Sequence, residues 1–497
     1  MEATDGELWW GGRVADGAQM PFSTVESVDL TDHANNQAAG LLLSNRGRVV
    51  WADEPFSFSI LDGRVEVVGD VRREHVGSNL RDATRWAAEH VHDRPRRLPA
   101  ARMFDPQWCG WIELLYEPTQ ERALAYAEQI VEHGYPPGVL MIDDNWSEDY
   151  GVWRFRSDRF PDPAAMVTEL ERLGFAVMLW VCPYVSPDGI DYLRLRDAGL
   201  LVSDASGEPV IRRWWNGYSA VLDLSNEAAR SWFRAQLSTL QVEYGIAGFK
   251  FDGADPDMYA GSDVASVALS PSGHVQRYGT FAEEFAYNEL RAGWNLGGRG
   301  LAMRLSDADH SWGPTGIAKL VPDHLAQGLL GMPCGGPDMI GGGQYLDFDE
   351  DRLDPEIFVR HAQIAALCPM MQFSAAPWRV LDDEHARLVQ SAVSLRAAHQ
   401  DRIVDLAHRW VETGDPIMRP IAYEFPDAGL DDVNDCFLLG PDLLVAPVVV
   451  PGATTREVPL PPGRWIDDLG NEYDGGSTIT VDVTLESLPR FELEAKT

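Results

Sequence analysis

Acidic side chains recur in this chain where short apolar runs end. Val139-Leu140-Met141-Ile142 leads into Asp143 and Asp144, and Gly248-Phe249-Lys250-Phe251 into Asp252 and then Asp255. Leu301-Ala302-Met303-Arg304-Leu305 leads towards Asp307 and Asp309, and Asp338 stands at a further such point. His, Cys and Ser do not recur at these places. Carboxylates brought together suit two kinds of chemistry. In glycoside cleavage one carboxylate attacks and a second protonates the leaving oxygen. In a Mg2+ site the oxygens ligate a hard cation. One such Asp alone reads more simply as a helix N-cap or a loop ion pair; recurrence at successive ends favours a shared site.

Tryptophan accompanies the carboxylates. The chain has 17, and Trp108, Trp111, Trp146, Trp180, Trp214, Trp215, Trp312 and Trp378 fall near the acidic positions. Indole faces stack on the C–H faces of sugar rings while carboxylates bind the hydroxyls. A metal-dependent phosphatase has no need of that pairing. Trp51, Trp153 and Trp232 read as packing residues.

Parallel strands are what must hold such residues together. From about residue 100 to 400 strand and helix alternate. Val139–Ile142, Ala176–Val181, Gly248–Phe251 and Leu301–Leu305 read as buried strands, and Ala164–Leu173 and Ala228–Tyr244 as helices closed by Gly174 and Gly245. Continuous apolar strands alternating with helices require a parallel sheet covered on both faces. No GxGxxG turn follows a strand, so a closed barrel is favoured over a doubly wound sheet. In a barrel the chemistry sits at the C-terminal strand ends. The flanks differ. Arg48–Trp51, Phe56–Ile60 and Val65–Val68 before it, with a helix over Leu80–His92, and Phe437–Leu439, Leu443–Val450 and Thr478–Val483 after it, have antiparallel β texture. The fold class is therefore α/β: a (β/α)8 TIM barrel over residues 99–404, an N-terminal β-sandwich over 1–98 and a C-terminal β-sandwich over 405–497.

Composition narrows the partners. Hydrophobic residues make up 45% of the 497 and charged residues 24%, as in folded globular chains. A formal net charge of -36 repels phosphate backbones and anionic lipid, which disfavours nucleic acid and membrane surfaces and leaves small neutral molecules. Cys109, Cys182, Cys334, Cys368 and Cys436 are scattered, without a CxxC pair, so neither a disulfide framework nor a structural zinc site is expected. Met1–Gly6 has no basic or apolar leader region and no run of ~18 apolar residues follows, so a cytoplasmic location is the expectation.

Gly248-Phe249-Lys250-Phe251-Asp252-Gly253-Ala254-Asp255 resembles the nucleophile segment of glycoside hydrolase family 31. Trp9-Trp10-Gly11-Gly12, Ser44–Trp51, Met141–Trp146, Pro337-Asp338-Met339-Ile340-Gly341-Gly342, Pro416–Pro420, Leu439–Pro447 and Pro462–Asp467 resemble further segments of that family, in its order. The resemblance implies that Asp252 is the nucleophile. It implies Asp307 as acid/base with Asp309 as the alternative, in a segment, Arg304–Trp312, that lacks the family's Trp-x-Gly-Asp form. It further implies that Arg304 holds a sugar hydroxyl or the nucleophile, and that Asp143, Asp144, Trp180 and Lys250 line the terminal-sugar subsite. Trp215, Asn216, Trp312, Asp338 and Trp378 complete the substrate-binding set.

Met371–Arg379 lacks the Arg-x-His element of the family's α-glucosidases. With Trp214–Gly217 and Gln107–Leu114 it resembles the branch of the myogenesis-regulating glycosidase and bacterial α-galactosidase-like members. The implied activity is retaining, exo-acting hydrolysis of a terminal α-galactoside or α-glucoside from a small glycoside or oligosaccharide. The mechanism calls for no metal or organic cofactor, for a raised pKa at Asp307, and for Arg304 or Lys250 beside Asp252. A transglycosylase or lyase on the same scaffold, or a non-catalytic carbohydrate-binding protein, are the alternatives. The short N-terminal domain leaves room for a homo-oligomer in which a second subunit completes the outer subsites.

Overall fold

The computed structural model describes residues 6–32, 36–344 and 353–494. Its centre is an eight-stranded parallel sheet: β1 Gln107–Cys109, β2 Val139–Ile142, β3 Ala176–Val181, β4 Gly248–Phe251, β5 Tyr287–Leu290, β6 Met303–Arg304, β7 Gly335–Gly336 and β8 Gln372–Phe373. Neighbours in sequence pair in parallel from β1 to β7, and β8 pairs with β1. A parallel bridge between Ile340 and Phe373 joins the last side, so the barrel is nearly closed.

Helices α1 Gln120–Glu132, α2 Pro163–Arg172, α3 Glu227–Tyr244, α4 Pro271–Ala282, α5 Leu320–Leu329 and α6 Pro355–Ala366 form the outer layer. Local chemistry starts most of them. Thr119, Asp162, Asn226, Ser270 and Asp354 cap their first turns through the side chain. Strand alternation then sorts the residues between layers. Phe249 and Phe251 of β4 pack on Phe281 and Phe285 at the α4 side, which turns Lys250 inward.

The interior is unusually polar. Gln107, Lys250, Glu289, Arg304 and Gln372 are all buried, and Gln372 donates to Gln107 at 2.8 Å and to Glu289. Inward polar residues explain why β5 shows no continuous apolar run. The expected strand over Leu301–Leu305 is shorter, Met303–Arg304, because the chain turns into the loop that carries Asp307. Leu443–Val450 likewise shortens to Leu443–Val445, just before Pro447.

Two antiparallel sheets precede the barrel. One contains Trp9–Arg13, Gln37–Ser44, Arg48–Trp51 and Arg72–His75, the other Val25–Asp29, Ser57–Leu61 and Arg64–Val68. Their buried residues belong to the same cluster as much of the barrel. Residues 291–302, between β5 and β6, contain no helix. Gly293–Trp294 pairs there in parallel with Gln37–Ala38, so the N-terminal sheet covers that side.

Helix α7, Asp383–Thr413, runs unbroken across residues 404 and 405. Its Arg396 bonds the carbonyls of Phe104, Cys368 and Pro369 beneath β1 and β8. A six-stranded and a two-stranded antiparallel sheet follow, closed over Leu438, Leu444, Val458, Trp465 and Phe491. Among the described residues no helix is long and apolar enough to cross a membrane.

Candidate active site

A cavity of about 420 Å³ opens at the C-terminal ends of the strands. Asp143, Asp144, Trp180, Trp215, Lys250, Asp252, Arg304 and Asp307 line it, so eight residues expected from the sequence meet there. Trp111, Tyr116, Arg291, Ser306 and Met339 line it as well.

Asp252 follows β4, and its backbone is clamped. Its N–H donates to Val181 O at 2.9 Å, and Tyr278 Oη donates to its carbonyl at 3.1 Å. The carboxylate accepts from Trp180 Nε1 at 3.0 Å, from the Gly253 N–H at 2.8 Å and from Arg291 Nε at 3.1 Å. Burial pushes its pKa up, but the guanidiniums of Arg291 and Arg304 and the Lys250 ammonium outweigh burial and hold it well below the usual carboxylate range. Asp252 is thus ionised in a buried place, as a nucleophile requires.

The direct partner differs from the expectation. Arg291, at the end of β5, not Arg304, contacts Asp252, and it also grips Asp255 through both terminal nitrogens at 3.2 and 2.8 Å. Lys250 instead pairs with Asp143 at 2.8 Å, which also accepts from Cys109 Sγ at 3.1 Å.

Arg304 serves three carboxylates: Asp307 at 2.8 Å, Asp338 at 2.6 Å and Glu289 at 3.4 Å. Asp307 is the more open of the two proposed reacting carboxylates, its side chain 37% exposed against 15% for Asp252. Burial raises its pKa, yet Arg304 and Arg291 hold it below the ordinary value. The raised pKa expected for an acid is therefore not found at Asp307; a guanidinium in direct contact outweighs desolvation. Asp338 is raised instead, by burial, although it also accepts the Ala308 N–H at 2.7 Å. Gly343 permits the close approach of the next loop: a Cβ there would stand 2.3 Å from the Asp307 carboxyl carbon.

Asp144 titrates elsewhere again. Burial and the neighbouring Asp143 push it up to about 7. It accepts from Tyr150 Oη at 3.0 Å and from Asn216 Nδ2 at 2.5 Å. Asn216 and Trp215 form the two-residue tip of a hairpin, Arg212–Trp214 paired with Gly217–Val221. The Trp215 indole lies 5.8 Å from the Arg291 guanidinium and is half exposed.

Three expected residues lie elsewhere. Asp309 is exposed, its N–H bonded to Thr315 O. Trp312 donates to Asp354, the cap of α6. Trp378 packs against Trp108, Tyr126, His133 and Tyr135 on the α1 side. Indoles near acidic positions in sequence are not separable from packing indoles until the backbone direction is known. Asp338 is buried behind Arg304 rather than on the cavity wall. Trp111, noticed as an aromatic but not assigned to the site, lines the cavity and donates to Gly343 O at 2.8 Å.

Fold and site together define a parallel barrel with paired carboxylates, guanidiniums and indoles gathered at its strand ends. The family model of the glycosyl hydrolases family 31 TIM-barrel domain matches residues 97–403, and that of the family 31 C-terminal domain matches 414–492. The chain belongs to glycoside hydrolase family 31. It is 34% identical over 424 residues to the myogenesis-regulating glycosidase of Mus musculus, covering 83% of this chain and 59% of that protein. It is 25% identical over 438 residues to alpha-glucosidase 2 of Bacillus thermoamyloliquefaciens, covering 81% and 54%. The chain therefore spans little more than half the length of these relatives. A crystal structure of a family 31 alpha-xylosidase from a soil metagenome, complexed with xylose, superposes with a TM-score of 0.85 at 23% identity, over 100% of this chain and 79% of that one.

Proposed function

We propose that this chain is a retaining, exo-acting α-glycoside hydrolase that releases a terminal α-linked hexose, galactose or glucose, by double displacement. The observation that carries this reading is an ionised, guanidinium-held Asp252 sharing one cavity with a second, more open carboxylate, Asp307. The names of the relatives, a glycosidase and an alpha-glucosidase, point the same way.

Asp252 attacks the anomeric carbon and forms a glycosyl ester as Asp307 protonates the departing oxygen. Asp307 then takes a proton from water, which attacks the ester and frees the sugar. Entry of the glycoside strips water from the partly exposed Asp307, which raises its pKa towards what an acid needs. Asp143 and Lys250, which line the cavity, are joined to each other and to Cys109. In this reading Asp143 and Asp144 bind hydroxyls and Trp215 covers a ring face; their shared lining of the cavity supports it.

The test is a panel of p-nitrophenyl α-glycosides (galactoside, glucoside, xyloside) with wild type and Asp252→Asn, with the first-formed anomer read by NMR. Cleavage of one α-hexoside, release of the α-anomer and a loss of at least ~10³-fold in Asp252→Asn are the expected results. No cleavage of any α-glycoside, a β-anomer first, or full activity in Asp252→Asn would overturn the proposal.

A further inference from the structure

The N-terminal sheet reaches the site through the dipeptide Asn36-Gln37. Gln37 opens the strand Gln37–Ser44 and its side chain is fully buried. Its Nε2 donates to two main-chain carbonyls, that of Arg291 and that of Arg304, the latter at 2.8 Å. Its Oε1 accepts from Gln327 Nε2 of α5 at 2.8 Å, and the same Gln327 nitrogen donates to Met303 O at 2.9 Å. Asn36 Nδ2 donates to Ser306 Oγ at 3.3 Å, one residue from Asp307.

The two carbonyls belong to the residues whose guanidiniums hold Asp252 and Asp307. They sit at the ends of β5 and β6, the strands whose connection has no helix behind it. A carboxamide with both hydrogens committed to two different strands fixes their relative height and rotation, which an apolar side chain of the same volume cannot do. We infer that Gln37 is a positioning residue: through the backbones of Arg291 and Arg304 it sets where both guanidiniums stand against the reacting carboxylates. The reaction used as a readout rests on the function proposed above; the placement of the guanidiniums does not.

Gln37→Met keeps length and volume and removes the donors. Freed strand ends let Arg291 drift from Asp252 and Arg304 from Asp307. The groups facing this pair are Asp252, Asp255, Lys250, Glu289, Asp307 and Asp338. Weaker contact lets burial raise Asp252, so the acid limb of the kcat/KM profile moves up. A displacement of about 1 Å lowers kcat by ~10²-fold, with KM changed only a few-fold. Gln37→Asn, which keeps the amide but shortens it, shows the same changes in smaller degree.

Both variants are tested by thermal melting, pH–rate profiles and crystal structures against wild type. In the structures the Arg291–Asp252 and Arg304–Asp307 separations, 3.1 and 2.8 Å here, are the direct readout. Longer separations with an upward shift of the acid limb bear the inference out. A folded Gln37→Met, or a folded Gln37→Asn if the first does not fold, with unchanged separations overturns it. Unchanged kcat and pH profile in such a folded variant overturn it too. If wild type cleaves no α-glycoside, the functional reading falls, and the separations alone decide the role of Gln37.

Discussion

Arg291 and Arg304 divide the charge of the site between them. Arg291 fastens Asp252 and Asp255; Arg304 fastens Asp307, Asp338 and Glu289. Asp252 and Asp307, the two carboxylates proposed to react, are consequently both held low. This gives a signed prediction. The kcat/KM profile reports the free enzyme and kcat the complex. Deprotonation of Asp307 therefore makes kcat/KM fall, as pH rises, already within the acidic range, whereas the descending limb of kcat lies at higher pH because the bound sugar desolvates Asp307. Initial rates across the acidic to neutral range check this, and coincident limbs near neutrality would contradict it. At this scale the acidic strand ends were legible in the sequence. Arg291 was not. It follows Tyr287-Asn288-Glu289-Leu290, where Glu289 turns into the barrel and Asn288 bonds the carbonyls of Phe285 and Gly300, so the strand lacks the apolar run that would have announced it.

Short elements deliver these side chains. The hairpin Arg212–Trp214 and Gly217–Val221 is anchored by Trp214, which packs edge-on against Tyr150 and Tyr184 at 4.8 and 4.6 Å. Its tip sets Asn216 on Asp144 and Trp215 over Arg291. Trp215→Ala removes a stacking face but no reacting group, so KM should rise ~10-fold with kcat changed less. Asn216→Ala leaves Asp144 with Tyr150 and the Asn145 N–H, so affinity for a terminal-sugar inhibitor should weaken by ~10-fold. Inhibition constants and Michaelis parameters measure both, and an unchanged KM in Trp215→Ala would remove the indole from the substrate path. The sequence pointed to Trp215 and Asn216 through their departure from the α-glucosidase form. It equally pointed to Trp312 and Trp378, which serve packing and a helix cap.

Across the whole molecule the N-terminal sheet covers one side of the barrel. The 3-10 turn Val14–Gln19 lies so close to α5 that a Cβ on Gly17 would stand 2.4 Å from Pro322 O. Asp323, beside it, is buried with Oδ1 unpartnered, and burial pushes its pKa up to about 7. The folded state thus holds a proton here that the unfolded chain has already lost. The associated stability is present below the ordinary value of 3.8 and is lost as pH rises through about 7. Asp323→Asn, which cannot ionise, should raise Tm at mildly alkaline pH by at least ~2 °C, with the gain vanishing in acid. Calorimetry at the two pH values decides it; an equal shift at both would show that ionisation is not the cause. An opposing ledger comes from Asp415, held at about 2 against burial by Arg85 and Tyr423. It ties the helix Leu80–His90 to the segment after α7 through two Arg85 contacts of 2.6 and 2.8 Å.

By itself the sequence determined the barrel, its β-rich flanks and most of the carboxylates at its mouth. Those follow from local rules: continuous apolar strands in the barrel, alternating strands in the flanks, capped helices, and acidic residues where strands end. The tertiary structure alone decided which cation holds which carboxylate, which indoles face the cavity, and that an N-terminal glutamine joins two strand ends. These depend on residues far apart in the chain meeting within a few ångströms. Electrostatic and hydrogen-bond energies change steeply over such distances, and no spacing along the sequence encodes them.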